Sequence, residues 1–250
     1  MKTSETSSSV ERACKGDRFR FPLLLLCLLC VVSPLRAGDG SWSILITGNL
    51  TTSSQLFLSP DAVDPVARSA RLGISNSFGA GAEIRYRFPD AHIAVSLASD
   101  ILRARASDDI VAFPGTTIPV SDGFTAVPVE LTGYFIVPFS GERFEVFMGG
   151  GAGVYFGKRH YVVGATEAPS TGTTAGYGIH VLTGVRYRFA GPWEAVAAMK
   201  FRDLQFHTSN AFSESTITSQ GVLINLGTQP FTSRTQTDGI IFELGLAYTI

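Results

Sequence analysis

Between Trp42 and Ile250, apolar and polar side chains alternate with a period of two in eight separate stretches. This period belongs to a strand with two unlike faces, because successive side chains point to opposite sides. The stretches run over 42–50, 72–88, 92–104, 124–139, 144–156, 175–189, 193–206 and 239–250. In the last, Ile240, Phe242, Leu244, Leu246, Tyr248 and Ile250 share a face, opposite Glu243, Gly245, Ala247 and Thr249. Two stretches end almost alike, as Glu83-Ile84-Arg85-Tyr86-Arg87-Phe88 and Gly184-Val185-Arg186-Tyr187-Arg188-Phe189. No amphipathic helix of useful length competes with these strands.

The connections alternate in length. Residues 51–71, 105–123, 157–174 and 207–238 are long and rich in Ser, Thr, Gly and Asn. Between them fall the short links Pro89-Asp90-Ala91, Ser140-Gly141-Glu142-Arg143 and Ala190-Gly191-Pro192. Outer-membrane barrels have short periplasmic turns and longer extracellular loops. With a periplasmic start, all seven connections follow that rule. Within the longest loop, Ser215 to Leu226 is itself strand-like and is expected to extend strands seven and eight as a hairpin. A ten-stranded ring is the alternative.

Which face is wet decides the fold class. The apolar faces carry bulky groups along whole strands, whereas the opposite faces mix glycine, alanine, threonine and charge. Aromatics gather near the short turns: Tyr86, Phe88, Phe139, Phe144, Tyr187, Phe189 and Trp193. Both features suit lipid outside and charge within. The expected fold is all-β, an antiparallel up-and-down transmembrane β-barrel, most simply of eight strands.

The first residues read differently. Lys15, Arg18 and Arg20 precede the apolar run Phe21 to Val32, followed by Ser33-Pro34-Leu35-Arg36-Ala37. This is the layout of a secretory leader, and its apolar run is shorter than the ~20 residues of a transmembrane helix. Residues 1–37 are therefore assigned as a signal peptide and residues 38–250 as the barrel domain. All three cysteines (Cys14, Cys27, Cys30) fall in the leader, so the remainder can form neither a disulfide nor a thiolate metal site. The barrel domain keeps 14 of the 20 basic and 18 of the 21 acidic residues, a net charge near −4 that argues against nucleic acid.

On Phe147-Met148-Gly149-Gly150-Gly151-Ala152-Gly153-Val154-Tyr155-Phe156, the two RYRF strand ends and the closing FELGLAYTI, the chain resembles small Gram-negative outer-membrane β-barrels. That class includes the OmpA membrane domain, OmpX and the porin-like outer membrane protein β-barrel domain proteins. The resemblance spans residues 42–250. It implies an outer-membrane location, a monomer, contact with outer-membrane lipids and lipopolysaccharide, insertion by the barrel assembly machinery, and loops free to bind an extracellular ligand. Such barrels usually end on an aromatic that the machinery recognises; this one ends on Ile250.

Parity places Glu83, Arg85, Arg87, Asp100, Glu130, Glu145, His180, Arg186, Arg188, Glu194, Lys200, Arg202 and Glu243 on the inner face. Eight strands leave an interior that side chains can fill. The balanced signs suit a paired polar core, since buried charge requires partners. A narrow porin or a route for small hydrophobic molecules is the transport alternative. An enzymatic alternative rests on Phe206-His207-Thr208-Ser209-Asn210, which resembles the His-x-Ser-Asn segment of outer-membrane lipid A deacylases. Residues two apart on a strand share a face, so His207 could serve as base for Ser209. The glutamate expected about a dozen residues further on is missing, with Gln220-Gly221-Val222 in its place. His92, His160 and His180 have no metal-site spacing, and no cofactor is expected. The reading as a whole is a non-enzymatic barrel with a structural or loop-mediated binding role.

Overall fold

The computed structural model describes residues 40–250 except 114–115, 139–140, 142, 220–221 and 238. The expected leader and its cysteines lie outside the described residues. Eight strands form the ring: β1 (Ser41–Phe57), β2 (Arg71–Arg87), β3 (Ile93–Phe113), β4 (Thr116–Ile136), β5 (Phe144–Val163), β8 (Gly176–Ala190), β9 (Trp193–Arg202) and β14 (Ile240–Thr249). Each pairs antiparallel with its neighbour in this order, and β14 pairs back onto β1. The closing register runs from Ser43↔Thr249 to Thr51↔Ile241. Trp42 and Ile250 exchange both backbone hydrogen bonds, at 3.3 and 2.7 Å.

The links at 89–91 and 190–192 are tight turns. Asp90 and Gly191 adopt φ of 54° and 53°. Glycine enters this left-handed region freely, and aspartate is one of the few other residues that does so readily. At the opposite end the strands continue past the limits expected from alternation. β3 and β4 stay paired from Arg105↔Gly123 to Phe113↔Thr116, so most of 105–123 is hairpin rather than irregular loop. Segment 157–174 holds the end of β5 with β6 (Thr166–Ala168) and β7 (Ser170–Thr174). The last long connection holds β10 (Leu204–Asn210), β11 (Thr216–Ser219), β12 (Val222–Asn225) and β13 (Phe231–Thr237). Alternation fades there because neither face must present an unbroken apolar row, yet backbone pairing needs no such row.

Two further details correct the sequence reading. The strand-like 215–226 segment does form a hairpin, β11–β12, but as a separate two-stranded sheet. It is β10 and β13 that extend strands seven and eight, pairing with each other and, through β13, with the far end of β1. The long connection 58–70 carries one short helix, α1 (Pro65–Ser69), whose first turn is capped by Asp64 accepting from the Val66 amide at 3.1 Å.

The outer face of the ring is apolar. Ile46, Leu131 and Leu244 are 66, 63 and 69% exposed, and every outward large residue of β14 is likewise uncovered. A continuous apolar surface of this extent is foreign to a water-facing monomer. At the short-turn end it is edged by aromatics, with Trp42 against Tyr86 at 4.9 Å and Trp193 against Tyr248 at 5.1 Å. Phe139 of the expected girdle lies outside the described residues. No helix among the described residues is long and apolar enough to cross a membrane; the crossing is made by strands.

Candidate functional site in the barrel lumen

The lumen is filled in layers. Nearest the short turns, Arg87 Nη1 meets Glu145 Oε2 at 2.7 Å. Glu194 takes Arg186 Nη1 on one oxygen at 2.9 Å and both Nε and Nη2 of Arg188 on the other. These side chains, with His92 and Arg143, line a cavity of about 220 Å³ open to that end. Arg186 Nε and Nη2 are buried beside it without an acceptor among the described residues.

One step inward, Arg85 Nε donates to Glu83 Oε1 at 2.7 Å, and the Tyr134 hydroxyl donates to Glu83 Oε2 at 3.0 Å. The Arg85 guanidinium lies 3.8 Å above the Tyr134 ring, a cation–π contact in a desolvated place. Leu45, Ala94, Phe147, Leu182, Val196 and Ala247 surround this pair with apolar contact.

The central layer is built around Glu130, which comes from the middle of β4. Arg202 Nη2 donates to Glu130 Oε2 at 3.0 Å and to Asp100 Oδ2 at 2.7 Å. Arg202 Nε sits 2.6 Å from Glu130 Oε1, an ion-pair distance whose angle is too bent for a hydrogen bond. Lys200 Nζ bridges Glu130 Oε2 at 3.3 Å and Glu243 Oε1 at 2.7 Å. The Tyr155 hydroxyl donates to Glu130 Oε1 at 3.3 Å, and His180 is held by Thr132 Oγ1 at 2.9 Å. Strands β3, β4, β5, β8, β9 and β14 thus meet on one carboxylate network. Desolvating so many charges is costly, and only mutual pairing offsets it.

Beyond Glu130 the lumen turns apolar. Leu56, Ile74, Leu102, Ala104, Phe124, Ala126, Tyr155, Leu204 and Phe206 form a buried plug, with Phe124 and Phe206 edge to face at 6.0 Å. Above it, past the apolar belt, Arg159 binds Asp122 through both Nε and Nη2 and stacks 4.7 Å over Tyr161. Ile118, Val163, Ala168, Phe212, Ile217 and Leu226 pack the cap around this pair. Burial there pushes the Tyr161 hydroxyl above the ordinary tyrosine range.

All thirteen charged residues assigned to the inner face by parity line this lumen or its short-turn mouth, where Arg87 and Arg188 remain partly open. The sequence reading missed Asp122 and Arg159, which fell beyond the expected ends of strands four and five. Carrying the parity of Phe124 and Tyr155 outward would have placed both inside. His207 and Ser209 both stand on the outward face, continuing the parity of Met199 and Phe201. Ser209 Oγ accepts from Thr171 Oγ1 at 3.2 Å. No hydrogen bond among the described residues joins Ser209 to His207, or His207 to a carboxylate. The described residues hold no cluster of three or more potential metal ligands.

An apolar outer belt, an aromatic edge, a charged packed lumen and unequal rims define the class: an eight-stranded β-barrel of the outer-membrane type, which places the protein in that membrane. Its structure is similar to OprG of Pseudomonas aeruginosa, at 14% identity and TM-score 0.56 over 84% of this chain and 96% of that one. A major outer membrane protein of Thermus thermophilus also matches, at 15% identity and TM-score 0.49 over 85% of this chain and all of the other. Ail of Yersinia pestis does so at 14% identity and TM-score 0.42, again over 85% of this chain and all of the other. At these identities the likeness extends to the fold alone. No protein-family model and no curated protein matches the sequence.

Proposed function

We propose that the protein is a non-enzymatic, monomeric outer-membrane barrel whose lumen is sealed and whose long-loop end serves envelope structure or binding. The supporting observation is that the interior is closed twice over, by the Glu130 network and by the apolar plug around Phe124 and Phe206. The strands that extend beyond the belt hold a ready platform for an extracellular ligand. Reconstituted in a planar bilayer, the protein should show no steady conductance, and a reproducible open level would sink the sealed reading. Expression should leave the mass of lipid A unchanged. A mass loss that disappears in Ser209→Ala would replace this reading by the hydrolase alternative.

A further inference from the structure

At the short-turn mouth of the lumen, arginines outnumber carboxylates. Arg87, Arg143, Arg186 and Arg188 line the cavity of about 220 Å³ there, against Glu145 and Glu194. The pair next inward, Arg85 with Glu83, is balanced and adds no negative charge. Arg87 and Arg188 keep 41 and 50% of their side-chain surface open, whereas Arg186, two residues deeper on β8, keeps 11%. Accessible guanidiniums thus flank the opening, and a buried one lies beyond them.

Arg186 is the unsatisfied member. Its Nη1 donates to Glu194 Oε2 at 2.9 Å, while Nε and Nη2 are buried with no acceptor among the described residues. Those two atoms form one side of the planar fork that grips a carboxylate or phosphate through parallel hydrogen bonds. Elsewhere in the chain that side is filled: Arg159 places Nε and Nη2 on the two oxygens of Asp122. Register offers Arg186 the same, since Glu145 stands directly across from it on β5. Glu145 bonds with Arg87 instead, and Glu194 is shared between Arg186 and Arg188. A buried charged donor without an acceptor is costly, and calls for a partner that the chain does not supply. A second unpartnered group lies close by. Thr249 Oγ1 is buried without a hydrogen bond, and Thr249 lines, with Arg186, Ser41 and Ser43, a smaller pocket of about 30 Å³.

We propose that this mouth is a binding site for a small water-borne phosphate, taken as the free ion or as a monoester. The Nε–Nη2 side of Arg186 holds two of its oxygens, and Arg87 and Arg188 close on it from the open side. Phosphate suits the site better than a carboxylate. It carries close to two negative charges and three strong acceptor oxygens, which match the surplus of two arginines and the three forks that converge there. The ligand enters from water at the short-turn end, the periplasmic side in barrels of this class. The three arginines point into the lumen, so the strand wall stands between them and the headgroups of the surrounding leaflet. The Glu130 network and the apolar plug close the way further in, and the site holds its ligand rather than passing it on.

The test is titration calorimetry on the detergent-solubilised barrel, at fixed ionic strength in sodium chloride, with inorganic phosphate and glycerol phosphate as probes. At least one should bind saturably near one equivalent, and the tighter of the two tells free ion from ester. R186K keeps a charge facing Glu194 but loses the fork, and should weaken binding about tenfold, the worth of one hydrogen bond to a charged group. R105Q, at the long-loop end, should bind like the parent. No saturable heat from either probe, or equal affinity in parent and R186K, overturns the site. Tighter binding of acetate than of both phosphates overturns the ligand class. The heat-dependent gel shift reports separately whether R186K folds. If it does not, R188Q is read in its place, with a loss of about fivefold expected and unchanged affinity overturning the site. A barrel that conducts yet still binds phosphate would sink the sealed lumen and leave this site standing.

Discussion

Glu130 illustrates how much one side chain can carry in a lumen without bulk water. Arg202, Lys200 and Tyr155 all reach its two oxygens from other strands, and His180 stands 3.7 Å away. Truncating it leaves at least two buried cations short of a partner, so Glu130→Ala should destabilise the barrel by about 3–5 kcal/mol. Tyr155→Phe removes a single donor and should cost about 1 kcal/mol. Urea unfolding in lipid vesicles distinguishes the two, and similar losses for both would deny Glu130 its central place. Parity along the chain assigns Glu130, Lys200 and Arg202 to one face, but it is silent on which meets which. Partners here lie 70 or 72 residues apart and depend on the stagger of the closed ring, which no local pattern encodes.

At the scale of the strand, the same period of two makes opposite demands on neighbouring residues. Leu244 faces lipid near the middle of β14, whereas Glu243 beside it faces Lys200. Leu244→Arg should therefore cost about 2–4 kcal/mol, the range for a cation on the lipid face near the bilayer midplane. The same change at Val63, 96% exposed in the connection after β1, should be nearly neutral. Folding yield into vesicles compares them, and equal tolerance would contradict a lipid-facing belt. Strand ends were the part of the fold least readable from sequence. β3 keeps pairing through Ser107, Asp108 and Asp109, where side-chain alternation carries no information because water bathes both faces. The reverse holds at Gly176, the first residue of β8. A Cβ there would run into the Gln205 carbonyl of β10. Gly176→Ala should force the two strands apart and lower the yield of heat-modifiable barrel, while Gly227→Ala, with open space around it, should not.

The whole molecule joins a ring to a cap, and the joint has a definite position. β9 gives way to β10 at Asp203, and β13 to β14 between Thr237 and Ile240, with Leu204↔Thr237 on one side and Phe201↔Ile240 on the other. β1 changes partner at the same level, from β14 at Thr51 to β13 at Gln55. There Thr52 Oγ1 accepts from the Ile240 amide, and the Asp203 amide donates to the Ile179 carbonyl at 3.0 Å. The ring below this level is closed, its ladder continuous and its backbone shut away from water by lipid and packed side chains. The cap above it is sheet in water, with β7 bonded along one edge only. Amide protons should therefore exchange on two separate clocks, slowly in Leu244–Ala247 and orders of magnitude faster in Thr232–Gln236. Under gentle denaturation the cap would then melt as its own cooperative unit, leaving a bare ring still threaded through the membrane.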